Sequence, residues 1–289
     1  MKVISPRYRL AVLADIHGNL PALEAVLADL SEHGPVDAFL IAGDIICGPR
    51  QAEALRQVSD MGAIMIQGNN ESVITQLANG SAPEYMYTAQ QFNLYRWAWQ
   101  HLAPGQLDLL SSLPEQRVIE LPGATAIRMV HGSPRRIDEP VRPPIVGELL
   151  PLFTESVLIC GHIHQPWQVR QDGRLVFNPG AVTGSQLGRV EANYVLLEWD
   201  GQQWEAHLQA VEYNLNRLRL DYLESGLLDS SPLARAILIN TCSGSNQVAF
   251  AFYGYAWRLA EESGYGQLPY IPDTIWKQAD ETFPWNNWE

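Results

Sequence analysis

Lysine is nearly absent from this 289-residue sequence: Lys2 and Lys277 are the only two, and arginine supplies the other basic charges. Basic residues number 19 against 32 acidic ones, a formal net charge of −13. So little positive charge excludes broad nucleic-acid binding, which draws on a basic surface, and it disfavours an anionic membrane for the same reason. Cysteine is scarce as well. Cys47, Cys160 and Cys242 make no even disulfide framework. No apolar run approaches the roughly eighteen residues of a membrane span, and the N-terminal MKVISPRYRL carries no secretory h-region. The expectation is a cytoplasmic protein of a reduced compartment, with no membrane partner. Repeats and low-complexity tracts are also missing.

What is present is a set of short motifs in one order: Asp15-Ile-His17, Gly43-Asp44, Gly68-Asn69, His131-Gly132 and Gly161-His162-Ile163-His164. Each follows a short apolar run. Together they supply two carboxylates, one amide and four imidazoles, a ligand set for two adjacent divalent metals that activate water and clamp a phosphoryl group. Mixed nitrogen and oxygen donors favour Mn, Fe, Zn, Co or Ni over Mg or Ca.

The local pattern is α/β. Arg9–Ala14 reads as a buried strand. Leu20, Leu23, Val26, Leu27 and Leu30 then recur at helical spacing behind an Asn19 N-cap, with Gly34-Pro35 as the stop. Strands over 36–42 and 63–67 end at Asp44 and Asn69. In open α/β sheets, sites form beyond the carboxyl ends of strands. Strands over 124–130 and 156–160 lead into His131 and His162. Segments 174–177, 194–199 and 203–208 read as an antiparallel meander, with Asp200-Gly201 as a two-residue hairpin turn. The predicted architecture is a four-layer αββα sandwich: two mixed β-sheets face to face, flanked by helices. Residues 1–210 form the core, and 211–289 form a mostly helical C-terminal extension packed on it.

These motifs resemble the calcineurin-like metallophosphoesterase superfamily. They are most similar to its small prokaryotic phosphodiesterase branch, whose members carry DIHGN, GD, GN, HGSP and GHTH-then-NPG patterns. Here they read DIHGN (15–19), GD (43–44), GNNE (68–71), HGSP (131–134), GHIH (161–164) and NPG (178–180), a match covering about Tyr8 to Leu208. The resemblance implies that Asp15, His17 and His164 bind one metal and Asn69, His131 and His162 a second. Asp44 bridges both, and a bridging hydroxide attacks phosphorus in line. It implies two divalent transition metals, manganese first, with Fe, Zn, Ni or Co as alternatives. Asp44, Asn70, His131 and Arg135 are the expected catalytic residues. The implied function is hydrolysis of a small phosphodiester or phosphomonoester, a nucleotide among the candidates.

The sequence departs from the family at two points. Many members carry His after Gly-Asn, to protonate the leaving group or bind the phosphate. Here the residue is Asn70, which donates a hydrogen bond but is no general acid at neutral pH. Good leaving groups are therefore expected to be turned over best. Cys47 stands where members more often have Gly or Asp. Arg135 is a candidate phosphate clamp, weighed against an ordinary surface arginine beside Arg136. Glu71 is read as orienting the Asn69 loop, Gly180 as shaping a turn, and His33, His101 and His207 as structural or solvated. A serine/threonine-type protein phosphatase is disfavoured because GNNE replaces GNHE. A non-catalytic metal-binding scaffold, like the retromer subunit of this fold, tends to lose ligands, and here all seven positions are filled.

Between the third and fourth motifs lies a helical stretch, 84–113, rich in Tyr and Trp. Packing against the sandwich is favoured there over stacking on a substrate base. The loop 140–144 is placed at the site rim. Helices are expected over 214–225, 232–239 and 247–262, with Leu215, Leu218, Tyr222 and Leu223 on one side of the first. Thr241–Asn246 is read as a capping loop, anion binding being the alternative. Trp276, Trp285 and Trp288 are read as anchors packing back on the body, with a homo-oligomer interface as the alternative.

Overall fold

Strand β1 (Tyr8–Leu13) shows how the layers arise. Leu10 and Val12 enter one apolar cluster and Ala11 and Leu13 another, and all four are fully buried. A strand covered on both faces reads as a continuous apolar run, which is why alternation is missing from its sequence. The computed structural model describes residues 7–184 and 187–288. Lys2 and most of the N-terminal segment read above lie outside them.

The chain continues through α1 (Leu20–His33), β2 (Ala38–Ile41), α2 (Gln51–Asp60), β3 (Ile64–Met65), α3 (Asn69–Asn79), α4 (Glu84–Thr88), α5 (Asn93–Gln100) and α6 (Pro104–Ser112). The second half holds β4 (Gln116–Ile119), β5 (Ile127–Val130), α7 (Val146–Leu149), β6 (Val157–Ile159), β7 (Pro166–Gln171), β8 (Arg174–Pro179), β9 (Ala192–Trp199) and β10 (Trp204–Val211). It closes with α8 (Leu215–Glu224), α9 (Leu227–Ser230), α10 (Pro232–Ser243), α11 (Gln247–Glu262) and α12 (Asp273–Thr282). The strands form two mixed five-stranded sheets, β10-β9-β1-β2-β3 and β4-β5-β6-β8-β7. Side chains such as Leu10, Val12, Leu40, Ile127, Ile159 and Phe177 fill the space between the sheets. Helices α1, α2, α3, α5 and α6 cover the outer face of the first sheet, and Val146, Leu149 and Phe153 cover that of the second. This is the predicted four-layer architecture.

Several local readings are corrected. The proposed meander is split between sheets: β8 pairs with β6 and β7 in one, β9 and β10 with β1 in the other. The β9–β10 hairpin exists, but Trp199 pairs with Trp204, so the loop holds four residues. Asp200 Oδ1 accepts from the Gln202 and Gln203 N–H groups at 2.7 and 2.8 Å, and this Asx turn stabilises the longer loop. Residues 241–243 belong to α10, which ends at Gly244 in the left-handed conformation. Leu223 points outward on α8. In the 140–144 loop Val141 is buried in the apolar cluster of the second sheet, while Arg142 donates to Gln165 Oε1, beside His164, at 2.9 Å. Trp276 and Trp285 do anchor, but around Phe252 of α11, with ring centroids 5.1 and 5.0 Å from it. They build a small core within the C-terminal helices. That unit is tied to the rest where Gln90 N–H donates to Asp273 Oδ1 at 2.7 Å and Tyr85 stacks on Tyr270. Among the described residues no helix is long and apolar enough to cross a membrane.

Candidate metal centre

All seven expected ligands lie at the carboxyl ends of parallel strands. Asp15 and His17 follow β1, Asp44 follows β2, and Asn69 opens α3 after β3; His131 follows β5, and His162 and His164 follow β6. Backbone bonds lace these loops together. Asp15 N–H donates to Gly43 O and His17 N–H to Asp44 O, both at 3.0 Å, and Gly161 N–H donates to His131 O at 2.7 Å.

The loops are strained where chemistry would need them. Among the described residues seven non-glycine residues have positive φ, and six of them are Asp15, His17, Asp44, Cys47, His162 and His164. Each such residue costs about 1 kcal/mol or more. Strain of that kind persists only where the surroundings over-determine it, and here it is concentrated in the ligand loops.

The side chains converge. His164 Nε2 lies 3.3 Å from Asp15 Oδ1 and 3.2 Å from His17 Nε2. His131 Nε2 is 3.4 Å from Asp44 Oδ2 and 3.1 Å from Asn69 Oδ1. His17 Nε2 lies 3.7 Å from Asp44 Oδ2, so Asp44 joins both groups. The His162 ring meets that of His131 edge-on at 5.3 Å. His131 Nδ1 is 2.7 Å from Ala42 O, and His17 Nδ1 is 3.2 Å from Ile46 O. Each contact fixes the N–H on Nδ1 and leaves Nε2 to point into the cluster, as a metal ligand requires.

The residues fit divalent metal. Asp15 is fully buried, and among the described residues no hydrogen bond reaches its Oδ1, although three imidazole nitrogens stand within 4.0 Å. A buried carboxylate oxygen without a partner is costly unless a cation fills the gap. Asp15, His17 and His164 offer one set of ligand atoms close enough for an ion, and Asp15, Asp44 and His131 offer another.

Protons occupy the same field. Burial alone would raise Asp44, but the imidazoles of His131 and His17 outweigh it and hold it well below the usual carboxylate range. Burial alone would lower His131, yet Asp44 and Asp15 push it up to about 10. Burial lowers His17, and burial together with the charge of His131 lowers His162. Loading metal onto metal-free protein at neutral pH must therefore displace the His131 proton. Affinity is expected to rise with pH up to about 10. Calorimetric binding enthalpies should shift with the buffer's ionisation enthalpy; no shift between phosphate-free buffers of different enthalpy would refute this. The same raised value makes the metal-free fold lose stability as pH climbs from the ordinary histidine range through about 10.

Glu71 orients the centre, as read from sequence, and does so more extensively than capping alone. Its fully buried carboxylate accepts four backbone N–H groups: Asp44 and Gly68 on Oε2 at 2.8 and 2.7 Å, Ile45 and Ile46 on Oε1 at 2.8 and 3.2 Å. Burial and the Asp44 charge push its pKa up to about 7. Gly68 must be glycine for space: a Cβ there would stand 2.1 Å from Asp44 Oδ1. Gly68→Ala is expected to displace Asp44 and weaken metal binding about tenfold or more, read by competition with a chelating dye. Unchanged affinity would show that Asp44 can move freely.

Two expected site residues sit differently from their sequence reading. Asn70 Nδ2 donates to Asp44 Oδ2 at 2.6 Å, and its backbone N–H donates to Asp44 Oδ1 at 3.0 Å. It positions Asp44, and the second N–H of its amide stays available in the cleft that Asn70 lines. Arg135 holds Glu139 through two bonds at 3.0 and 2.8 Å and does not line the cleft beside the cluster. Glu139, which also accepts from Ser133, draws it away. Arg135 is thus placed as the surface arginine that the sequence reading weighed against a clamp. Cys47 lines the cleft, but burial and the Glu71 and Asp44 charges raise its pKa, so it remains an inert thiol.

That cleft holds about 290 Å³ and reaches from His17, Asp44 and His162 to residues of α5, α10 and α11. Sequence reasoning left Asn240 and Phe250 out of the site, while Tyr95 belongs to the aromatic stretch for which a cleft wall was the less favoured reading. One signal was available: Phe250 falls between the buried positions Val248 and Phe252, off the apolar stripe of its helix.

Residues 8–202 match the family model described as the calcineurin-like phosphoesterase superfamily domain. An uncharacterised protein of Methanocaldococcus jannaschii is 25% identical over 235 residues, 72% of this chain and 89% of that protein. The crystal structure of a metallophosphoesterase from Sphaerobacter thermophilus is similar with a TM-score of 0.66 and 28% identity, over 82% of this chain and 99% of that one. A hypothetical protein from Pyrococcus horikoshii shares the fold at a TM-score of 0.65 and 21% identity, over 80% of this chain and 97% of that one.

Proposed function

Because this chain belongs to the calcineurin-like phosphoesterase superfamily, and so to the metal-dependent hydrolases of phosphoester bonds, we propose that it hydrolyses a small phosphodiester or phosphomonoester at a dinuclear centre. In that reading Asp15, His17 and His164 would hold one ion, Asn69, His131 and His162 the other, and Asp44 both. Bound divalent ions, manganese first among the candidates, would supply an activated water and neutralise charge on the phosphoryl group. The carrying observation is the buried Asp15 Oδ1, unpartnered amid three imidazoles.

The chain's own residues act on this site in three ways. Glu71 and Asn70 fix Asp44 through backbone and side-chain bonds. Carbonyls of Ala42 and Ile46 set the tautomers of His131 and His17. A cleft of about 290 Å³ beside the ligand cluster is of small-molecule size, which supports a small ester over a folded phosphoprotein. Position 70 supplies no general acid, so good leaving groups should be preferred.

The test is hydrolysis of bis-p-nitrophenyl phosphate and p-nitrophenyl phosphate by metal-stripped protein, with Mn, Ni, Co, Zn, Fe(II) and Mg restored in turn. Stripping is expected to remove activity and a transition metal to restore it, the diester-to-monoester ratio giving the preferred class. Two bound metals with no turnover of either ester would overturn the catalytic reading. Failure to bind any metal would overturn the centre itself.

A further inference from the structure

The cleft has two unlike walls. One is the ligand cluster. The other is formed largely by the C-terminal helices α10 and α11, with Tyr95 of α5. Nothing in the chemistry of phosphoryl transfer requires that second wall, so its composition speaks to the rest of the substrate.

Three observations bear on what it takes. Phe250 is 70% exposed although it lines the cleft, a bare aromatic face beside polar groups. The α11 stripe of Val248, Phe252, Ala256 and Ala260 already packs the helix, so Phe250 contributes little to folding. Hydrogen-bonding groups stand around it. Asn240 gives its Oδ1 to Val248 N–H at 3.0 Å, which turns its amide over to cap α11, and among the described residues no acceptor meets its Nδ2. The Tyr95 hydroxyl likewise has no hydrogen-bond partner among them, and burial keeps it protonated as a donor. Lastly, the described lining contains no lysine or arginine, and Asp44 is its one carboxylate. Negative charge beyond the scissile phosphoryl would meet no cationic side chain among these lining residues, in a chain of net charge −13.

We infer that the α10–α11 hairpin is the subsite for the organic group of the ester, and that it selects a flat, uncharged, hydrogen-bonding group of nucleoside type over one bearing further phosphates. This rests on the phosphoesterase reading above. Phe250 supplies the stacking face, and Asn240 and Tyr95 supply donors to the ring's polar edge. The ligand cluster takes the single phosphoryl charge.

Three esters sharing one leaving group test it on the metal-loaded protein: methyl p-nitrophenyl phosphate, thymidine 5′-(p-nitrophenyl phosphate), and the same thymidine ester carrying a 3′-phosphate. The thymidine ester should exceed the methyl ester in kcat/KM by about tenfold, since base–aromatic stacking is of that order. Phe250→Ala should erase that advantage mainly through KM, leaving the methyl ester within about twofold. The 3′-phosphate should lower kcat/KM about tenfold. Equal losses on both esters that lack the 3′-phosphate in Phe250→Ala, or a 3′-phosphate that is tolerated, would overturn the subsite. A second readout needs no metal: titration of thymidine into metal-free protein, followed by tryptophan fluorescence, should show saturable binding that Phe250→Ala weakens. If the methyl ester is not hydrolysed, the phosphoesterase reading fails, while thymidine binding still decides the subsite. Absence of thymidine binding with normal methyl ester turnover overturns the subsite alone.

Discussion

Asp44→Asn is expected to lower metal-dependent kcat/KM by a factor of roughly 10³–10⁴, equivalent to about 4–5.5 kcal/mol of transition-state stabilisation. The size follows from position. Asp44 Oδ2 approaches both His17, at 3.7 Å, and His131, at 3.4 Å. With Asp15, whose Oδ1 lies within 4.0 Å of the same two imidazoles, it links the two ligand groups. Replacing one oxygen with NH₂ removes a negative charge from a buried cluster and turns a donor toward donors. Without the carboxylate, His131 loses the largest influence holding its proton, so its pKa should fall toward and below the ordinary histidine value. Two measurements separate the effects: calorimetry counts the ions bound, and turnover of bis-p-nitrophenyl phosphate reports catalysis. Retained turnover within tenfold would remove Asp44 from the centre. The fold should survive, because Glu71 binds the Asp44 backbone and not its side chain.

Glu71→Ala is expected to cost roughly 3–5 kcal/mol of stability, large for one residue, because four buried N–H groups lose their acceptor together. Those donors belong to Asp44, Ile45, Ile46 and Gly68. The Glu71 carboxylate reaches two loops at once, so its loss strips acceptors from both. Urea denaturation of the metal-free protein reads the loss directly. Glu71→Gln keeps the volume but sets an NH₂ against two backbone donors, so it should recover only part of the stability and little of the metal affinity. A loss below about 1 kcal/mol in Glu71→Ala would mean that water satisfies these groups. Metal affinity should fall in parallel, since the two loops that Glu71 ties together carry Asp44 and Asn69.

Much of the centre was legible because its ligands fall shortly after strand ends. Asp15, Asp44, Asn69, His131 and His162 each lie within four residues of the end of β1, β2, β3, β5 or β6, where the chain turns at the sheet edge. Helix α1 was equally readable: Asn19 caps it by accepting from Ala22 N–H at 3.1 Å, a bond local in sequence. Asn70 and Arg135 each carried two readings for a common reason. Each has a polar neighbour within reach, Asp44 or Glu139, and sequence adjacency to a motif does not reveal which partner wins.

The sequence by itself determined the order of strands and ligands, the buried runs, and the donor chemistry of the site, because each depends on residue identity and short-range periodicity. The tertiary structure alone decided the rest. Apolar periodicity says that a strand is buried but not against what, so the division of β8 and β9 between two sheets followed from packing. Left-handed backbone at five of the ligands is unfavourable locally and is held only by bonds between distant loops. The α10–α11 wall joins the site from more than 180 residues beyond β1. That meeting is set by how a separate aromatic core docks on the sandwich, which no local pattern encodes.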